Sequence, residues 1–442
     1  KPLVSQNLLR LQNRLNETGD INKVAVIKSN GGETTLEGAR QYPIHLSLSG
    51  PTGGVIGAKY IAGLSGVNNL VTLDMGGTST DVSTIVSTRE SFTTSYEIEF
   101  GVPIQIPMLD IRTMGAGGGS MAWIDKGGML RVGPQSAGAQ PGPACYDRGG
   151  QEPTVTDANV VLGRINPTNF LGGEMSLDIS AAQKAIKSVA DQIEVSIDEA
   201  AIGIIQIANN NMVGALRMVL TERGLDPRDF TLLAFGGAGP VHITDVMHSA
   251  GIPSGIVPNF PGQFSAFGFI MTDARVDLER TAPMTSKAFN TEHASRVLSD
   301  LVSEAKQSLF AQGYQGNIEI YRSLEMRYFG QNHELEVAVE FDSFDDQIIL
   351  DVWKQFHSVH KTRFNFDIPG ETIELISIKV TAVSLTPKPN LPEIEKATEP
   401  AQSRGARLVR FDSGHIETPI YSREHLKAGD CFNGPAIIEE GA

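Results

Sequence analysis

The segment LDMGGTSTDV, residues 73–82, places two glycines and three hydroxyl side chains between two carboxylates. The apolar run 69–74 before it and the run 82–86 after it are typical of two strands joined as a hairpin. Glycines let backbone N–H groups approach a phosphate closely, hydroxyls donate to its oxygens, and a carboxylate at a strand end can hold Mg²⁺. The segment therefore predicts a phosphate-binding turn. The alternative is a tight hairpin in which Asp74 and Asp81 only cap the turn.

A second glycine turn, FGGAGPVH at residues 235–242, follows an apolar strand predicted over 230–235 and opens a predicted helix over 241–250. Such an arrangement favours an anion or the edge of a nucleotide at the helix start. The alternative is close packing between helix and strand. Neither turn has the Gly-Lys-Ser/Thr ending of a P-loop, and no G-x-G-x-x-G segment opens a dinucleotide-binding unit. Together, however, the two turns match a cleft of the actin and sugar-kinase type, with phosphates at the first turn and adenosine at the second.

The rest of the chain alternates strands and helices, which predicts an α/β fold. The longest predicted helix, 197–222, is apolar almost all round, so we expect it to be buried. Near residues 280–285 the composition changes, and charged helices then alternate with long strands. We therefore expect a nucleotide-binding core at 1–282, with its cleft in 20–282, a mixed α/β domain at 283–385, and a connector with a β-rich end at 386–442.

Composition excludes several classes of function. The chain has 36 Lys and Arg against 51 Asp and Glu, and its formal net charge of −15 disfavours a nucleic-acid partner. Its apolar runs stop well short of the roughly 20 residues that cross a bilayer, and its start does not have the pattern of a signal peptide. Two cysteines allow one disulfide at most. We therefore expect a soluble cytoplasmic protein without a membrane partner.

Glycine is the outlier of the composition, at 46 of 442 residues. Much of the excess lies within 101–153, a stretch too rich in glycine and proline to be mostly regular structure. Long irregular stretches inside compact domains are usually functional. We expect this stretch to contribute to a site rather than to serve as a linker.

Several segments, in the same order along the chain, resemble the hydantoinase A / 5-oxoprolinase family. They are SNGG at 29–32, SGP at 49–51, DMGGTSTD at 74–81, GAGGGS at 115–120, GPQSAGA at 133–139, PGPACY at 141–146, FGGAGPVH at 235–242 and PGQFSAFG at 261–268. The resemblance runs from end to end of the chain. It implies an actin-like ATPase fold in which ATP phosphorylates a carbonyl oxygen.

The same resemblance implies the type of reaction and the partners. Members of this family open cyclic amides such as hydantoins, 5-oxoproline or lactams, and close relatives are subunits of ATP-dependent ketone carboxylases. They usually work with a second subunit or domain of the hydantoinase B type. We therefore expect a hydrolase subunit that uses ATP and Mg²⁺ to open a cyclic amide. A ketone carboxylase subunit and a non-catalytic assembly subunit are the alternatives.

Two departures from the family pattern bear on these alternatives. The family normally begins with a domain carrying its own Asp-x-Gly-Gly-Thr loop, and here the sequence opens with a predicted helix at 3–17. The last residues, GPAIIEEGA at 434–442, form a phrase that continues into a further strand in the family. The resemblance therefore indicates a fragment or a split subunit that needs the N-terminal domain of the family to complete its phosphate clamp.

The predicted site combines residues of both turns. Asp74 and Asp81 are the expected catalytic carboxylates, and Asp74 is also the expected ligand of nucleotide-bound Mg²⁺. Phosphates and adenosine are expected to contact Gly76, Gly77, Thr78, Ser79, Gly236, Gly237 and Gly239. Candidate substrate contacts are Asp110, Arg112 and His242, although an ion pair explains the first two equally well and packing explains the histidine better.

Two further patterns favour structural roles. His357 and His360 are three residues apart on a predicted helix and could face one metal. No third ligand is evident, and we expect both side chains to face solvent. Cys145 has no paired histidine, so we expect it to pack in the interior rather than to act as a nucleophile.

Overall fold

The apolar residues before Asp74 form the central strand of a mixed sheet, as the hairpin pattern predicts. In the computed structural model, which describes residues 2–19, 24–93, 96–99, 102–104 and 106–441, this strand spans Leu70–Met75. Val71, Leu73 and Met75 enter one apolar core, and Leu70 enters another on the opposite side. Residues 20–23, at the start of the predicted nucleotide cleft, lie outside the described residues.

Ten α-helices lie within the described residues. They are α1 (Pro2–Thr18), α2 (Leu36–Gln41), α3 (Ser49–Ser65), α4 (Val155–Val161), α5 (Ile179–Ala190), α6 (Ile197–Thr221), α7 (Gly239–Ala250), α8 (Phe264–Ile270), α9 (Thr291–Ala311) and α10 (Asp346–Phe364). The predicted long helix is confirmed as α6. It begins where Ser196 and Glu199 cap each other's backbone N–H groups, and much of its length is buried.

The strands of the described residues are 2 to 12 residues long, and the three longest lie beyond residue 270. They are β1 (Ala25–Ile27), β2 (Glu33–Thr35), β3 (Leu70–Met75), β4 (Thr80–Val86), β5 (Arg89–Glu90), β6 (Phe92–Thr93), β7 (Tyr96–Glu99), β8 (Val102–Ile104), β9 (Met108–Leu109), β10 (Arg112–Met114), β11 (Ser120–Ile124), β12 (Leu130–Ser136), β13 (Thr231–Phe235), β14 (Ser254–Ile256), β15 (Ala274–Thr285), β16 (Ile318–Tyr328), β17 (Leu335–Val339), β18 (Ile373–Ser384), β19 (Gly405–Phe411), β20 (Gly414–Ser422) and β21 (Ile437–Glu439).

The chain divides into two compact units. Unit 1 contains Lys1–Thr52, Phe92–Leu109 and Met271–Lys388, and unit 2 contains Gly53–Ser91, Asp110–Ile270 and Pro389–Ala442. Each unit therefore combines three separate stretches of sequence, and the last stretch of the chain belongs with unit 2.

Unit 2 is built on a sheet in the order β10-β4-β3-β13-β14, with β5 added to β4. Strands β3 and β4 form the predicted hairpin, and β13 runs parallel to β3. Helices α4, α5, α6 and α7 contribute to the core on one side of this sheet, and α3 and α8 contribute to the core on the other. The two glycine turns thus lie at the ends of adjacent, central strands.

Unit 1 is built on a second sheet, in the order β1-β2-β15-β18-β16-β17. Long antiparallel pairing joins β15, β18 and β16, and α9 and α10 supply the apolar side chains that cover one face. The helices and strands expected beyond residue 283 are therefore confirmed. The stretch 101–153 is more regular than its composition predicts, because β11 and β12 pair as a hairpin within it.

Candidate functional site

The hairpin β3–β4 places Asp74 and Asp81 opposite each other. They are cross-strand partners in the antiparallel pair, and one residue separates each of them from the turn. Thr113 Oγ1 on the neighbouring strand β10 donates to Asp81 Oδ1 at 2.5 Å. Ser265 Oγ, in the first turn of α8, donates to Asp74 Oδ2 at 3.4 Å. Two carboxylates therefore face one another with one hydroxyl hydrogen bond described for each.

The electrostatics of this pair favour a bound cation. Burial raises the pKa of Asp74 to about 6, and the charge of Asp81 acts in the same direction, whereas the bond from Ser265 opposes both. Burial also raises the pKa of Asp81, against the bond from Thr113. Proximity and partial desolvation thus destabilise the doubly ionised pair. A positive charge beside these carboxylates would remove that penalty.

The turn between the carboxylates is open on one side. Gly76 N–H donates to Ser79 O at 3.0 Å and closes the turn, while Gly77 and Thr78 are exposed. A Cβ added to Gly77 would meet no heavy atom within 4 Å. The backbone of this turn is therefore accessible to a ligand.

The second glycine turn lies directly beside the first. Parallel pairing of β13 with β3 makes Phe235 the partner of Asp74, so Gly236 follows at the same edge of the sheet. Gly236 has φ +80°, and a Cβ added there would lie 2.4 Å from Met75 O and 2.5 Å from Asp74 Oδ1. Ala238 N–H donates to Met75 O at 2.9 Å. Only glycine permits this approach of the second turn to the carboxylate.

The structure therefore brings together the two predicted groups of residues. Asp74, Asp81 and the first turn lie at one end of the hairpin, and the second turn passes over the end of β3. Gly237 is exposed and an added Cβ would meet nothing within 4 Å, whereas Gly239, the first residue of α7, is buried against β3. Such a cluster at the carboxyl ends of adjacent parallel strands is the usual position of a ligand site in an α/β sheet.

A third glycine segment at this site was not assigned a role from the sequence. Gly118 N–H donates to Gly76 O at 3.0 Å, and Gly119 N–H donates to Gly77 O at 2.6 Å. The run 115–120 thus holds the first turn from behind. The sequence signals for this segment are the glycine excess of 101–153 and the family resemblance of 115–120. Neither indicates this contact, because it joins positions about 40 residues apart in the chain.

Asp110 and Arg112 lie in an ion-pair network at one side of the hairpin. Asp110 is 8% exposed and accepts from Arg223 Nη2 at 2.5 Å, and Arg112 Nε lies 3.2 Å from its other oxygen. Arg112 also lies 3.4 Å from Glu222. These contacts hold β10, whose Thr113 reaches Asp81. The described contacts of both residues are those of a structural ion pair.

His242 lies inside the fold behind the second turn. It is fully buried, its Nδ1 donates to Asn209 Oδ1 at 2.7 Å, and its Nε2 accepts from Asn159 Nδ2 at 3.4 Å. Burial lowers the pKa of His242 to about 4, and the charge of Arg164 acts in the same direction. The imidazole is therefore neutral at pH 7, and its two nitrogens contact side chains of α6 and α4.

The other patterns noted in the sequence are structural. The expectation that His360 faces solvent is wrong: it is 1% exposed among aromatic side chains, and its Nδ1 donates to Phe366 O at 2.8 Å. His357 Nδ1 accepts from the Tyr328 hydroxyl at 2.5 Å. Burial raises the pKa of the Cys145 thiol, with the charge of Asp157 adding to the effect, so this side chain is inert as a nucleophile. Its expected interior position is confirmed.

A magnesium ion fits the carboxylate pair only as a partner of a nucleotide. Within the described ranges no group of three or more His, Cys, Asp and Glu side chains could hold a metal. Mg²⁺ is typically bound by one or two carboxylates together with substrate phosphates and water. Asp74 and Asp81 supply such a donor set beside an accessible glycine turn.

Across the part of the chain that the structure describes, we find no helix long and apolar enough to cross a membrane.

Family models and known proteins match this chain along its whole length. The family model for Hydantoinase/oxoprolinase matches residues 1–278, and the model for the Hydantoinase/oxoprolinase C-terminal domain matches residues 281–442. Caprolactamase subunit alpha from Pseudomonas jessenii is 35% identical over 449 residues, which cover 99% of this chain and 64% of that subunit. The 5-oxoprolinase of Dictyostelium discoideum is 32% identical over 452 residues, covering 95% of this chain and 34% of that enzyme.

Solved structures agree with these relationships. The crystal structure of ATP-dependent caprolactamase from Pseudomonas jessenii has a TM-score of 0.86 and 34% identity, and covers 100% of this chain and 65% of its own. Nucleotide-free acetone carboxylase has a TM-score of 0.79 and 27% identity, with 99% of this chain and 64% of its own covered. The chain thus spans slightly less than two thirds of either. These matches confirm the predicted α/β fold class, an actin-like core with a mixed α/β C-terminal domain.

Proposed function

Because this chain belongs to the hydantoinase/oxoprolinase family, we propose that it supplies the nucleotide site of an enzyme that opens a cyclic amide at the expense of ATP. The substrate class is a hydantoin, 5-oxoproline or a lactam. The activity belongs to a longer protein or complex, since the caprolactamase subunit extends well beyond the length of this chain. This chain contributes the binding of ATP and the orientation of its phosphates.

One observation carries the proposal. Two glycine turns and a pair of carboxylates meet at the ends of adjacent parallel strands, with Gly236 packed against Asp74 Oδ1. A structural hairpin does not require the second turn to approach a carboxylate so closely. A phosphoryl-transfer site does, because charge on the phosphate has to be matched by donors and a cation at fixed positions.

The residues divide the chemistry among them. Gly76, Gly77, Thr78 and Ser79 hold the phosphates, while Gly236, Gly237 and Gly239 lie on the adenosine side. Asp74 holds Mg²⁺, which when bound neutralises charge on the phosphates. Asp81 completes the negative field that favours that cation.

The reaction consumes ATP and two waters for each ring opened. The amide oxygen attacks the γ-phosphorus and ADP leaves, which makes the amide carbon susceptible to water. Water adds to that carbon, the ring C–N bond breaks with protonation of the nitrogen, and a second water completes the release of inorganic phosphate. The products are ADP, phosphate and an open-chain acid, which carries a free amino group when the substrate is 5-oxoproline or a lactam and a carbamoylated one when it is a hydantoin.

A ketone carboxylase subunit is the second candidate function. It is favoured by the structural match to acetone carboxylase, which extends over 99% of this chain. In that enzyme class ATP would also activate a carbonyl oxygen, so the nucleotide site described above serves either reaction. The two candidates differ in the acceptor and in the partner subunit rather than in this site.

A second subunit or domain of the hydantoinase B type is the proposed partner. The relative from Pseudomonas jessenii is itself named as one subunit, alpha, of its enzyme. The N-terminal domain of the family is the other proposed contributor, because it would carry the second phosphate loop. If the complete complex consumed no ATP, the alternative of a non-catalytic assembly subunit would be supported.

The test uses the full-length protein co-expressed with its hydantoinase B type partner. Titration calorimetry with Mg-ATP measures binding, and ADP release is followed with hydantoin, 5-oxoproline, caprolactam, and acetone with bicarbonate. We expect ATP binding, and ADP release that depends on one of the three cyclic amides and matches ring opening in amount. Release with acetone and bicarbonate alone would favour the carboxylase. Undetectable ATP binding by the complete complex would refute both enzymatic functions.

A further inference from the structure

The segment PGQFSAFG at 261–268 has no role in the function proposed so far. It follows β14 as a 3₁₀ turn, Pro261–Gln263, and continues directly into α8. Its residues belong to unit 2, as do all residues of the nucleotide site. Its contacts with that site connect both glycine turns.

Two hydrogen bonds join the segment to the site. Gly236 N–H donates to Pro261 O at 2.9 Å, which fixes the start of the second turn. Four residues later, Ser265 Oγ donates to Asp74 Oδ2 at 3.4 Å. One short segment therefore holds the backbone of one turn and the carboxylate beside the other.

The position of Ser265 is itself tightly constrained. Helix α8 crosses α3 in backbone contact, since a Cβ added to Gly268 would lie 1.7 Å from Gly53 O. Phe264, next to Ser265, is 1% exposed and its ring centroid lies 4.8 Å from that of Phe235. Because these contacts hold the backbone around Ser265, its hydroxyl is presented to Asp74 from a fixed position.

Asp74 is in this way fixed through both of its oxygens. Oδ1 lies 2.5 Å from the position that a Cβ on Gly236 would occupy, and Oδ2 accepts from Ser265. Without the hydroxyl, Oδ2 would lose the hydrogen bond described for it, and the carboxylate could turn toward other rotamers. We infer that Ser265 is a positioning residue, which sets the rotamer of Asp74 for phosphoryl transfer. This inference rests on the proposed function. It assigns to the segment 261–268 the positioning of Asp74, the carboxylate at the centre of the proposed site.

The experiment compares Ser265→Ala, Ser265→Thr and a matched control, Ser188→Ala, in the full-length protein with its partner. Ser188 is also a helical serine of unit 2, and its hydroxyl donates to Ala185 O at 2.7 Å. Steady-state ADP release gives kcat and the KM for ATP, and a crystal structure of each variant gives the rotamer of Asp74.

We expect Ser265→Ala to lower kcat about tenfold, the lower end of what a hydrogen bond to a charged group contributes, because the bond is long. The KM for ATP should change by less than about twofold, since ground-state contacts with the nucleotide remain. Ser265→Thr retains the hydroxyl and should restore kcat to within about threefold of wild type. Ser188→Ala should be indistinguishable from wild type.

The crystal structures decide the matter independently of activity. Asp74 should occupy one rotamer in wild type and Ser188→Ala, and more than one in Ser265→Ala. A single, unchanged rotamer in Ser265→Ala would overturn the inference, as would a kcat of Ser265→Thr as low as that of the folded Ala variant. If wild type consumed no ATP with any amide, the proposed function would fail, and the rotamers would still test the bond.

Discussion

At the scale of single residues, Asp74 carries the strongest prediction. Asp74→Asn is nearly isosteric and keeps an oxygen that accepts from Ser265, but it removes one negative charge at the proposed Mg²⁺ position. We expect kcat for ATP-dependent ring opening to fall by roughly two orders of magnitude or more. At pH 7.5 the free energy of unfolding should not fall, because a raised pKa means that the ionised carboxylate destabilises the fold and the neutral amide does not. ADP release and urea denaturation measure the two quantities.

The control for this variant is Asp191→Asn. Asp191 is a solvent-exposed carboxylate that pairs with Lys187 one helical turn away, and such pairs contribute little. Its kcat and stability should match wild type. If Asp74→Asn kept normal turnover, with ATP consumed in step with ring opening, Asp74 would only cap a turn.

The pKa of Asp74 also predicts a pH dependence of stability in the absence of nucleotide. In the folded protein it is raised to about 6 from an ordinary value of 3.8, so the folded state binds this proton more tightly than the unfolded state. As pH falls from above 6 to below 4, protonation of Asp74 therefore raises the free energy of unfolding, by about 3 kcal/mol in total. Asp74→Asn lacks this titration, so it should be the more stable protein above pH 6, and its advantage over wild type should shrink as pH falls toward 4. A difference independent of pH would show that the carboxylate titrates normally.

At the scale of elements, the second glycine turn contains two glycines with different surroundings. Gly236 is packed against β3, whereas Gly237 faces open space. Gly236→Ala would place a methyl group against Met75 O at a positive φ, and should lower the free energy of unfolding by more than about 2 kcal/mol. Gly237→Ala meets open space without a positive φ, and should change it by less than about 0.5 kcal/mol. Mg-ATP affinity of the Gly237 variant should fall, because its methyl group would project into the proposed nucleotide position.

Denaturation curves and titration calorimetry on both variants test this pair. Equal stability of the two alanine variants would contradict the close approach of the turn to β3. Unchanged ATP affinity of Gly237→Ala would place the adenosine elsewhere.

Helix α7 gives a second element-scale prediction, through its buried histidine. His242→Ala removes the hydrogen bonds to Asn209 and Asn159 and leaves a cavity, and should lower the free energy of unfolding at pH 7.5 by about 2–4 kcal/mol. Since burial lowers the pKa of His242 to about 4, protonation favours the unfolded state as pH falls below about 6.5. The cost of the substitution should therefore shrink between pH 6.5 and 4.

His248→Ala on the same helix is the control. His248 is exposed, and its replacement should change stability by less than about 0.5 kcal/mol. A cost of His242→Ala that stayed constant from pH 7.5 to 4 would mean that the imidazole is not held neutral.

Local sequence patterns predict the strands, helix and turns of the site well, but they do not predict the contacts between distant segments. The hairpin of Asp74 and Asp81 and the strand–turn–helix before His242 follow from glycine placement and apolar periodicity, which act over a few residues. The hold of Gly118 and Gly119 on the first turn depends on pairing between distant strands, which no local pattern encodes. The burial of His360 was missed for the same reason, since aromatic residues of other elements surround it.

At the scale of the whole molecule, the chain carries one tryptophan in each unit. Trp353 lies on α10 and packs against the core of unit 1, whereas Trp123 lies on β11 in unit 2 and donates to Gly133 O at 2.9 Å. Because the proposed nucleotide residues all belong to unit 2, saturating Mg-ATP should raise the unfolding midpoint reported by Trp123 more than that reported by Trp353. At 100 times Kd the stabilisation is about 2.7 kcal/mol.

Variants with a single tryptophan, Trp123→Phe and Trp353→Phe, make the measurement by fluorescence in urea. The control is the midpoint of each variant without ATP, against which the shift caused by Mg-ATP is measured. A larger shift at Trp353 than at Trp123 would assign the nucleotide to unit 1.

The composition of the units could not be predicted from the sequence. Near residues 280–285 the composition changes, and charged helices alternate with long strands beyond this point. The two family models also meet there. Each compact unit nevertheless collects three stretches, because Phe92–Leu109 and Pro389–Ala442 pack with partners distant in the chain. Composition records what a segment contains, whereas packing depends on which segments meet.

The parallel pairing of β3 with β13 has a consequence for the synthesis of this protein on the ribosome. About 155 residues separate the end of β3 from the start of its partner. Because translation adds roughly 5–20 residues per second, the β3–β4 hairpin is complete on the order of 10–30 s before β13 is synthesised. During this interval the apolar edge of β3 has no partner strand and is exposed to pairing with other chains.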